Sequence, residues 1–279
     1  MTAPSGEKSY RSATAAIIQM CSTDDREHNL AVAGELLEDA QGQGAELMVL
    51  PENFAFMGQD LEAKRRHLED PETGVTVRFL QETAKSLGVW IVGGSITLAI
   101  PDSPKAANAS LLVGPDGVIQ ARYDKMHLFD VNLGGGEALR ESDFVQAGKT
   151  PVVAETPFGR LGLVICYDLR FPELFRALSQ QGATIFALPA AFTLTTGQAH
   201  WELLLRARAV ENFAYLLASA QWGRHADGRR TYGHAMVVEP WGTVTARAPE
   251  GDGFILADLN PKRVEQSRRK IPCLQHRVL

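Results

Sequence analysis

The sequence predicts an α/β fold with mixed sheets, and two of its features support this prediction. In the first half, apolar runs alternate with amphipathic stretches in the order β-α-β-α-β, which is typical of parallel strands joined by helices. In the second half, three Pro-x-Gly turns lie between strand-like runs and indicate hairpins, whose strands are antiparallel. No stretch has the composition of a linker or a low-complexity tract, so we expect one domain over residues 1–279.

The first half contains three strand-like runs and two helical patterns. A leader at about 1–10, which we expect to be frayed, precedes the apolar run 13–20. Apolar positions between 30 and 40 recur at helical spacing, and two glycines close that helix. The buried strand pattern ELMVLPE follows, then a second helical face that stops at Gly88, and then VWIVGGSITLAI as one strand pattern.

The second half begins with hairpins and then returns to alternating strands and helices. Residues 161–165 form a continuous apolar run, as in a strand buried on both faces. Pro172 suits the first turn of a helix, and ATIFALP follows that helix as another strand. The three predicted hairpin turns are Pro115-Asp116-Gly117, Pro157-Phe158-Gly159 and Pro240-Trp241-Gly242.

Cys166 lies between the strand at 161–165 and the helix that begins near Pro172. It therefore occupies the carboxyl end of a strand, the edge at which open α/β sheets bind ligands. The nearby helix N-terminus is expected to favour a thiolate. The alternative is a structural cysteine, because free cysteine is often buried as a small apolar residue.

Two further ionisable residues stand where predicted strands end. Glu52 follows the apolar run LMVLP, and Lys125 follows VIQARYD. Each alone is most simply a solvated surface residue, but charged groups are rarely placed against apolar strands unless they are paired. In combination with Cys166, Glu52 could take the thiol proton and Lys125 could stabilise an oxyanion.

The composition excludes several classes of protein. The net charge of −5 and pI of about 5.8 argue against nucleic acid or an anionic membrane as a partner. The apolar run 13–20 is too short to cross a bilayer. Three widely spaced cysteines without a CxxC motif argue against structural zinc and disulfides, so we expect a reduced, cytoplasmic protein. No HxxxH or HExxH pair is present, and neither a metal nor a cofactor is expected.

Three motifs of this sequence resemble the nitrilase, or carbon–nitrogen hydrolase, superfamily. They are LPENF, YDKMHLFD and GLVICYDLRFPEL, with 73 residues from Glu52 to Lys125 and 41 from Lys125 to Cys166. The resemblance implies a four-layer α-β-β-α sandwich that pairs into a homodimer. It also implies that the C-terminal tail, about 261–279, packs at the dimer interface.

The resemblance implies roles for particular residues in the hydrolysis of an amide through a thioester. The resemblance also implies a second catalytic-site glutamate. Glu141 is its best match, but Glu137 lies close by and leaves the assignment open. The backbone N–H of Tyr167 is expected to assist in holding the oxyanion. Glu52 is expected to be the general base, and Lys125 the lysine that stabilises the oxyanion. Cys166 is expected to be the nucleophile, and Glu141 the second glutamate.

Two longer blocks resemble the Nit branch, which acts on ω-amides of 2-oxo dicarboxylates. They are TTGQAHWELLLRARAVEN and GRHADGRRTYGHAMVVEPWGTV. The resemblance of the second block and of the tail IPCLQHR implies deaminated glutathione as the substrate, whereas that of HLFDVN and AFTLTTG equally implies 2-oxoglutaramate. Another amidase or carbamoylase activity of the superfamily, and an inactive binding protein on this fold, are the alternatives.

The expected partner is a small amide that bears carboxylates, for which arginine is the natural bidentate ligand. Arg170, four residues after the nucleophile, is the first candidate, and a structural salt bridge is its alternative. The basic loop 224–230 could meet the distal glycine carboxylate of a deaminated tripeptide, or could be a solvated loop. Thr195 is a further substrate-binding candidate; one of Thr193, Thr195 and Thr196 is expected to cap the helix beginning near Gly197.

Overall fold

The structure of the protein, a computed structural model, describes residues 9–132 and 138–278. Within these two ranges, no helix combines the length and apolar character needed to cross a membrane. Glu137 and most of the predicted leader lie outside the described residues.

Strands and helices alternate along much of the chain. The helices are α1 (Arg26–Gly42), α2 (Leu61–Arg66), α3 (Val75–Leu87), α4 (Pro172–Gln180), α5 (Leu194–Asn212) and α6 (Pro261–Lys270), with short 3₁₀ turns at Glu141–Asp143 and Cys166–Arg170. The strands are β1 (Ala13–Met20), β2 (Leu47–Val49), β3 (Trp90–Val92), β4 (Ile96–Ala99), β5 (Ala106–Val113), β6 (Ile119–Asp124), β7 (Asp130–Asn132), β8 (Ala138–Arg140), β9 (Val152–Thr156), β10 (Gly159–Leu163), β11 (Ile185–Ala190), β12 (Tyr215–Arg224), β13 (Arg230–Tyr232), β14 (Met236–Val238), β15 (Val244–Arg247) and β16 (Gly253–Leu259).

Most of the strands form one mixed sheet, which confirms the predicted α/β class. Its central order is β4-β5-β3-β2-β1-β12-β11-β10-β9. β1 is parallel to β2 and β12 and antiparallel to β16. The three predicted Pro-x-Gly turns join antiparallel pairs, namely β5–β6, β9–β10 and β14–β15. The two halves of the chain meet where β1 pairs with β12.

The two faces of β1 belong to different parts of the core. Ala16 and Ile18 pack in a cluster that includes buried residues of α1 and α3. Ala15 and Ile17 face the opposite side and join a larger cluster that includes β10, β11, β12, α4 and α5. Alternation along a strand produces this division, because successive side chains point to opposite faces. The helices therefore cover the outer faces of the curled sheet, as the predicted four-layer sandwich requires.

The predicted strand VWIVGGSITLAI is wrong in one respect, since it is two strands. β3 and β4 are separated by Gly94, whose φ of +52° is a left-handed conformation. A Cβ at this position would lie 2.1 Å from the carbonyl oxygen of Pro51. Gly94 therefore allows the chain to pass close to the segment that carries Glu52.

Candidate active site

Lys125 is at the centre of a buried ionic network. Its Nζ lies 2.9 Å from Oε1 of Glu52 and 2.9 Å from Oε2 of Glu141. Burial alone would lower the pKa of Lys125, but the carboxylates of Glu141 and Glu52 raise it well above its usual value, so this side chain is an ammonium. Burial alone would raise the pKa of Glu141, but Lys125 lowers it, so this side chain is ionised.

Asn108, on β5, holds the two glutamates together. Its Nδ2 donates to Oε1 of Glu52 at 3.2 Å and to Oε1 of Glu141 at 3.0 Å. The backbone N–H of Phe129 donates to the other oxygen of Glu141 at 2.7 Å. Sequence reasoning missed Asn108, although a polar residue in the apolar run AANASLLV is a signal that could have found it.

Cys166 follows β10 and opens the 3₁₀ turn before α4, as the predicted strand–turn–helix order requires. It is buried, and its φ of +47° is a left-handed conformation that non-glycine residues rarely adopt. Burial raises the pKa of its thiol well above the usual value, and the charge of Glu52 raises it further, while Lys125 opposes this rise. The direction of this shift opposes the thiolate that the helix N-terminus was expected to favour. Removal of the thiol proton requires a base, and Glu52 is the carboxylate whose charge acts on it.

Asp168 joins the segment that carries the cysteine to the segment that carries the lysine. It is fully buried and accepts hydrogen bonds from the N–H of Ile165 at 2.8 Å and the hydroxyl of Tyr123 at 2.7 Å. It also accepts from the backbone N–H of His127 at 3.1 Å and contacts His127 Nδ1 at 2.7 Å. Because Lys125 lies between Tyr123 and His127, Asp168 holds both chain segments in register.

The network forms one wall of a cavity of about 140 Å³. Its lining, among the residues described, contains five cationic side chains and two anionic ones. Since Glu52 and Glu141 both contact Lys125, the remaining cations give the cavity a positive surplus. The lining residues are Glu52, Asn53, Lys64, Lys125, Phe129, Leu139, Arg140, Glu141, Cys166, Ala191, Thr193, Arg229, Arg230 and Thr231.

The structure brings the four predicted catalytic residues together, but the three predicted substrate-binding residues are not part of the cavity lining. Arg170 Nη1 lies 3.3 Å from His200 Nδ1, and its guanidinium lies over the rings of Tyr167 and Phe192. The ring of Tyr167 packs edge-on against Phe129. Thr195 is exposed on the first turn of α5.

Thr193 is the predicted threonine cap. Its Oγ1 accepts from the N–H of Thr196 at 3.4 Å, and α5 begins at Leu194, earlier than the predicted start near Gly197. Thr193 also lines the cavity, which sequence reasoning did not predict.

The basic loop contributes Arg229 and Arg230 to the cavity, together with Thr231. His225 is buried below them, with Nδ1 2.9 Å from the carbonyl oxygen of Ser22 and Nε2 2.7 Å from Oγ1 of Thr231. Burial lowers the pKa of His225, so this side chain is neutral and anchors the loop. Sequence reasoning missed Lys64, which lies outside the motifs, and Arg140, although it directly precedes Glu141 in the sequence.

No group of three or more histidine, cysteine, aspartate or glutamate side chains is arranged to hold a metal ion within 9–132 and 138–278. The arrangement that the structure does provide is a buried thiol, a carboxylate base and an ammonium within one cation-rich cavity. These are the groups needed for nucleophilic attack on a carbonyl carbon and for stabilisation of the resulting oxyanion.

Comparison with known proteins agrees with this chemistry. Residues 14–269 match the family described as carbon-nitrogen hydrolase. The chain is 46% identical to a deaminated glutathione amidase of Synechocystis, covering 95% of this chain and 97% of the relative, and 42% identical to the human protein of that name, covering 94% and 81%. Among solved structures, Saccharomyces cerevisiae Nit3, a member of branch 10 of the nitrilase superfamily, superimposes with a TM-score of 0.85 at 32% identity, covering 94% of each chain. The resemblance found in the motifs is thus confirmed, and the chain belongs to the carbon–nitrogen hydrolase family.

Proposed function

We propose that this hydrolase cleaves the ω-amide of deaminated glutathione, with Cys166 as the nucleophile. The observation that carries the proposal is the position of Cys166 beside the Glu52–Lys125–Glu141 network in a cavity with a surplus of positive charge. Deaminated glutathione has a carboxylate at each end, so a cation-rich cavity suits it. Relatives that carry this substrate in their name, at 41–46% identity, support the choice.

The first half of the proposed reaction transfers the acyl group to the cysteine. Glu52 accepts the thiol proton of Cys166, and the sulfur attacks the amide carbon. The oxyanion that forms is stabilised by the ammonium of Lys125 and by the backbone N–H of Tyr167, which directly follows Cys166 although Tyr167 does not line the cavity. The C–N bond then breaks as the leaving nitrogen receives the proton from Glu52, which leaves a thioester and the free amine cysteinylglycine.

The second half returns the enzyme to its resting state. A glutamate of the site takes a proton from water, and the hydroxyl attacks the thioester carbon. The C–S bond breaks, 2-oxoglutarate is released, and the proton returns to the sulfur. Glu52 is the glutamate whose charge acts on the sulfur, while Glu141 is held by Lys125, Asn108 and the N–H of Phe129.

The proposal is tested by measuring the release of 2-oxoglutarate from deaminated glutathione and from 2-oxoglutaramate. We expect a higher kcat/KM for deaminated glutathione. Cys166→Ala should lower turnover by at least about 1000-fold without altering thermal unfolding. The control variant Cys273→Ala, which changes a cysteine remote from the cavity, should keep the turnover of the wild type. A higher kcat/KM for 2-oxoglutaramate would favour ω-amidase activity, and turnover that survives Cys166→Ala would contradict the assigned nucleophile.

We also propose that the protein is a cytoplasmic homodimer. Large apolar side chains are exposed on and beside α5 and α6, at Leu203, Val210, Trp241 and Ile271. Such a patch is typical of a protein–protein interface. Light scattering should give twice the chain mass of 30.4 kDa, and Leu203→Glu should shift it toward the monomer mass.

A further inference from the structure

Lys64 and Arg229 carry positive charge into the cavity without full compensation. Lys64, on α2, has no salt bridge or hydrogen bond through its ammonium to any residue of the described ranges. Arg229 pairs with Asp227 through Nε, and its backbone N–H donates to the same carboxylate at 3.0 Å. This pairing orients the guanidinium and leaves its two terminal nitrogens without a partner among the residues that the structure describes.

The two cations lie close enough to influence one another. Burial lowers the pKa of Lys64 and the charge of Arg229 lowers it further, while the charges of Asp227, Glu141 and Glu52 oppose this fall. Asp227 compensates only one of the two positive charges, so the pair keeps a net positive charge that a bound anion can compensate. The pair is therefore a site prepared for an anionic group of a ligand.

The size of the cavity indicates which part of a substrate this pair meets. A volume of about 140 Å³ is below the ~300 Å³ at which sites for drug-sized ligands begin. The acyl part of the substrate must lie beside the buried Cys166, so the amine part extends to the mouth. Lys64 and Arg229 are half-buried, and the next residue, Arg230, is exposed to solvent, which puts this group of cations toward the mouth.

We propose that Lys64 and Arg229 bind the carboxylate at the far end of the amine part of the substrate. This inference rests on the proposed function and specifies how its substrate is selected. An amide whose leaving group ends in a carboxylate gains this contact, whereas an amide that releases ammonia cannot make it. Asp227 acts as the positioning residue for Arg229, and His225 holds the loop that carries both.

The test uses two substrates that differ only at the far carboxylate. One is deaminated glutathione, and the other is the same molecule with its glycine carboxylate converted to a primary amide. The release of 2-oxoglutarate reports cleavage of the same bond in both. The quantity compared is the ratio of kcat/KM for the acid to kcat/KM for the terminal amide, because an effect on the chemical step common to both substrates cancels in this ratio.

The wild type is compared with Lys64→Met, with Arg229→Gln and with the double variant. Glutamine at 229 keeps a donor for Asp227, so the loop retains that contact. The matched control is Arg224→Met, which removes an exposed arginine of the same loop that does not line the cavity. Thermal unfolding of every variant establishes that it is folded.

We expect the wild-type ratio to be about 10 to 100, as for a charge-assisted hydrogen-bonded contact. It should fall to within about threefold of unity in the double variant, take intermediate values in the single variants, and be retained in Arg224→Met. A wild-type ratio near one, or a double variant that keeps the wild-type ratio, would overturn the subsite while leaving the amidase activity in place. Failure of the wild type to cleave either substrate would overturn both the proposed function and this inference.

Discussion

The ammonium of Lys125 and the carboxylate of Glu52 form a salt bridge of 2.9 Å in which the two side chains are only 2% and 5% exposed. A buried pair of this kind is costly to break, because the partner left behind is an uncompensated charge. Here a second carboxylate, Glu141, shares the same ammonium. The lysine therefore stabilises the fold and the charge of the proposed base at the same time.

Replacement of Lys125 by methionine should consequently lower both stability and turnover. The variant leaves Glu52 and Glu141 close together without a cation, so we expect the free energy of unfolding to fall by about 3–5 kcal/mol. Denaturant unfolding measures this change. Adding Glu141→Gln to the lysine variant should recover part of the stability but none of the turnover. A single variant as stable as the wild type would contradict this account of the network.

Replacement of Asn108 by aspartate should change the pH dependence of turnover. The new carboxylate would face Glu52 and Glu141, and a nearby negative charge favours the protonated form of a carboxyl group. The acid limb of the kcat/KM profile should therefore move to higher pH, by about one unit. Asn108→Ser removes the bridge without adding charge and should lower kcat with a much smaller shift. Identical acid limbs in wild type and Asn108→Asp would rule out this electrostatic role.

Replacement of Asp168 by asparagine should loosen the contact between the segments that carry Cys166 and Lys125. The amide cannot accept all the hydrogen bonds that the carboxylate accepts from Ile165, Tyr123 and His127, so we expect a loss of about 3 kcal/mol in unfolding free energy. Tyr123→Phe removes one of these bonds and should cost about 1 kcal/mol. Because Asp168 acts by positioning, kcat should fall more than KM rises. A variant with reduced stability and an unchanged kcat would restrict Asp168 to a structural role.

The neutral His225 should make stability depend on pH below neutrality. Its pKa is lowered in the folded protein by burial and by Arg229, with the hydrogen bond to the Ser22 carbonyl and the charge of Asp227 opposing. Between that lowered pKa and the ordinary value of about 6.5, the unfolded chain binds the extra proton. The contribution of His225 to the free energy of unfolding is thus present above about pH 6.5 and is lost as the pH falls through the lowered pKa. Urea unfolding at several pH values should show this loss, and His225→Gln should reduce it; an equal loss in that variant would point to another group.

The elements of the fold were largely predictable because they depend on local patterns. Continuous apolar runs marked β1 and β10, Pro172 marked the start of α4, and the three Pro-x-Gly turns marked the hairpins. The break between β3 and β4 was missed, since it depends on how closely the chain at Gly94 passes Pro51, which is far away in sequence. A run of apolar letters carries no information about such an approach.

The sequence by itself determined the α/β class, the family and the four residues expected to carry the chemistry, because motif order and strand ends are properties of the chain. Only the tertiary structure decided that Asn108 bridges the two glutamates, that burial raises the pKa of the Cys166 thiol, and that Lys64 and Arg229 line the cavity while Arg170 does not. The physical reason is that burial, charge neighbours and cavity lining arise from residues brought together across long sequence separations. None of these quantities exists until the sheet has curled and its strand ends have met.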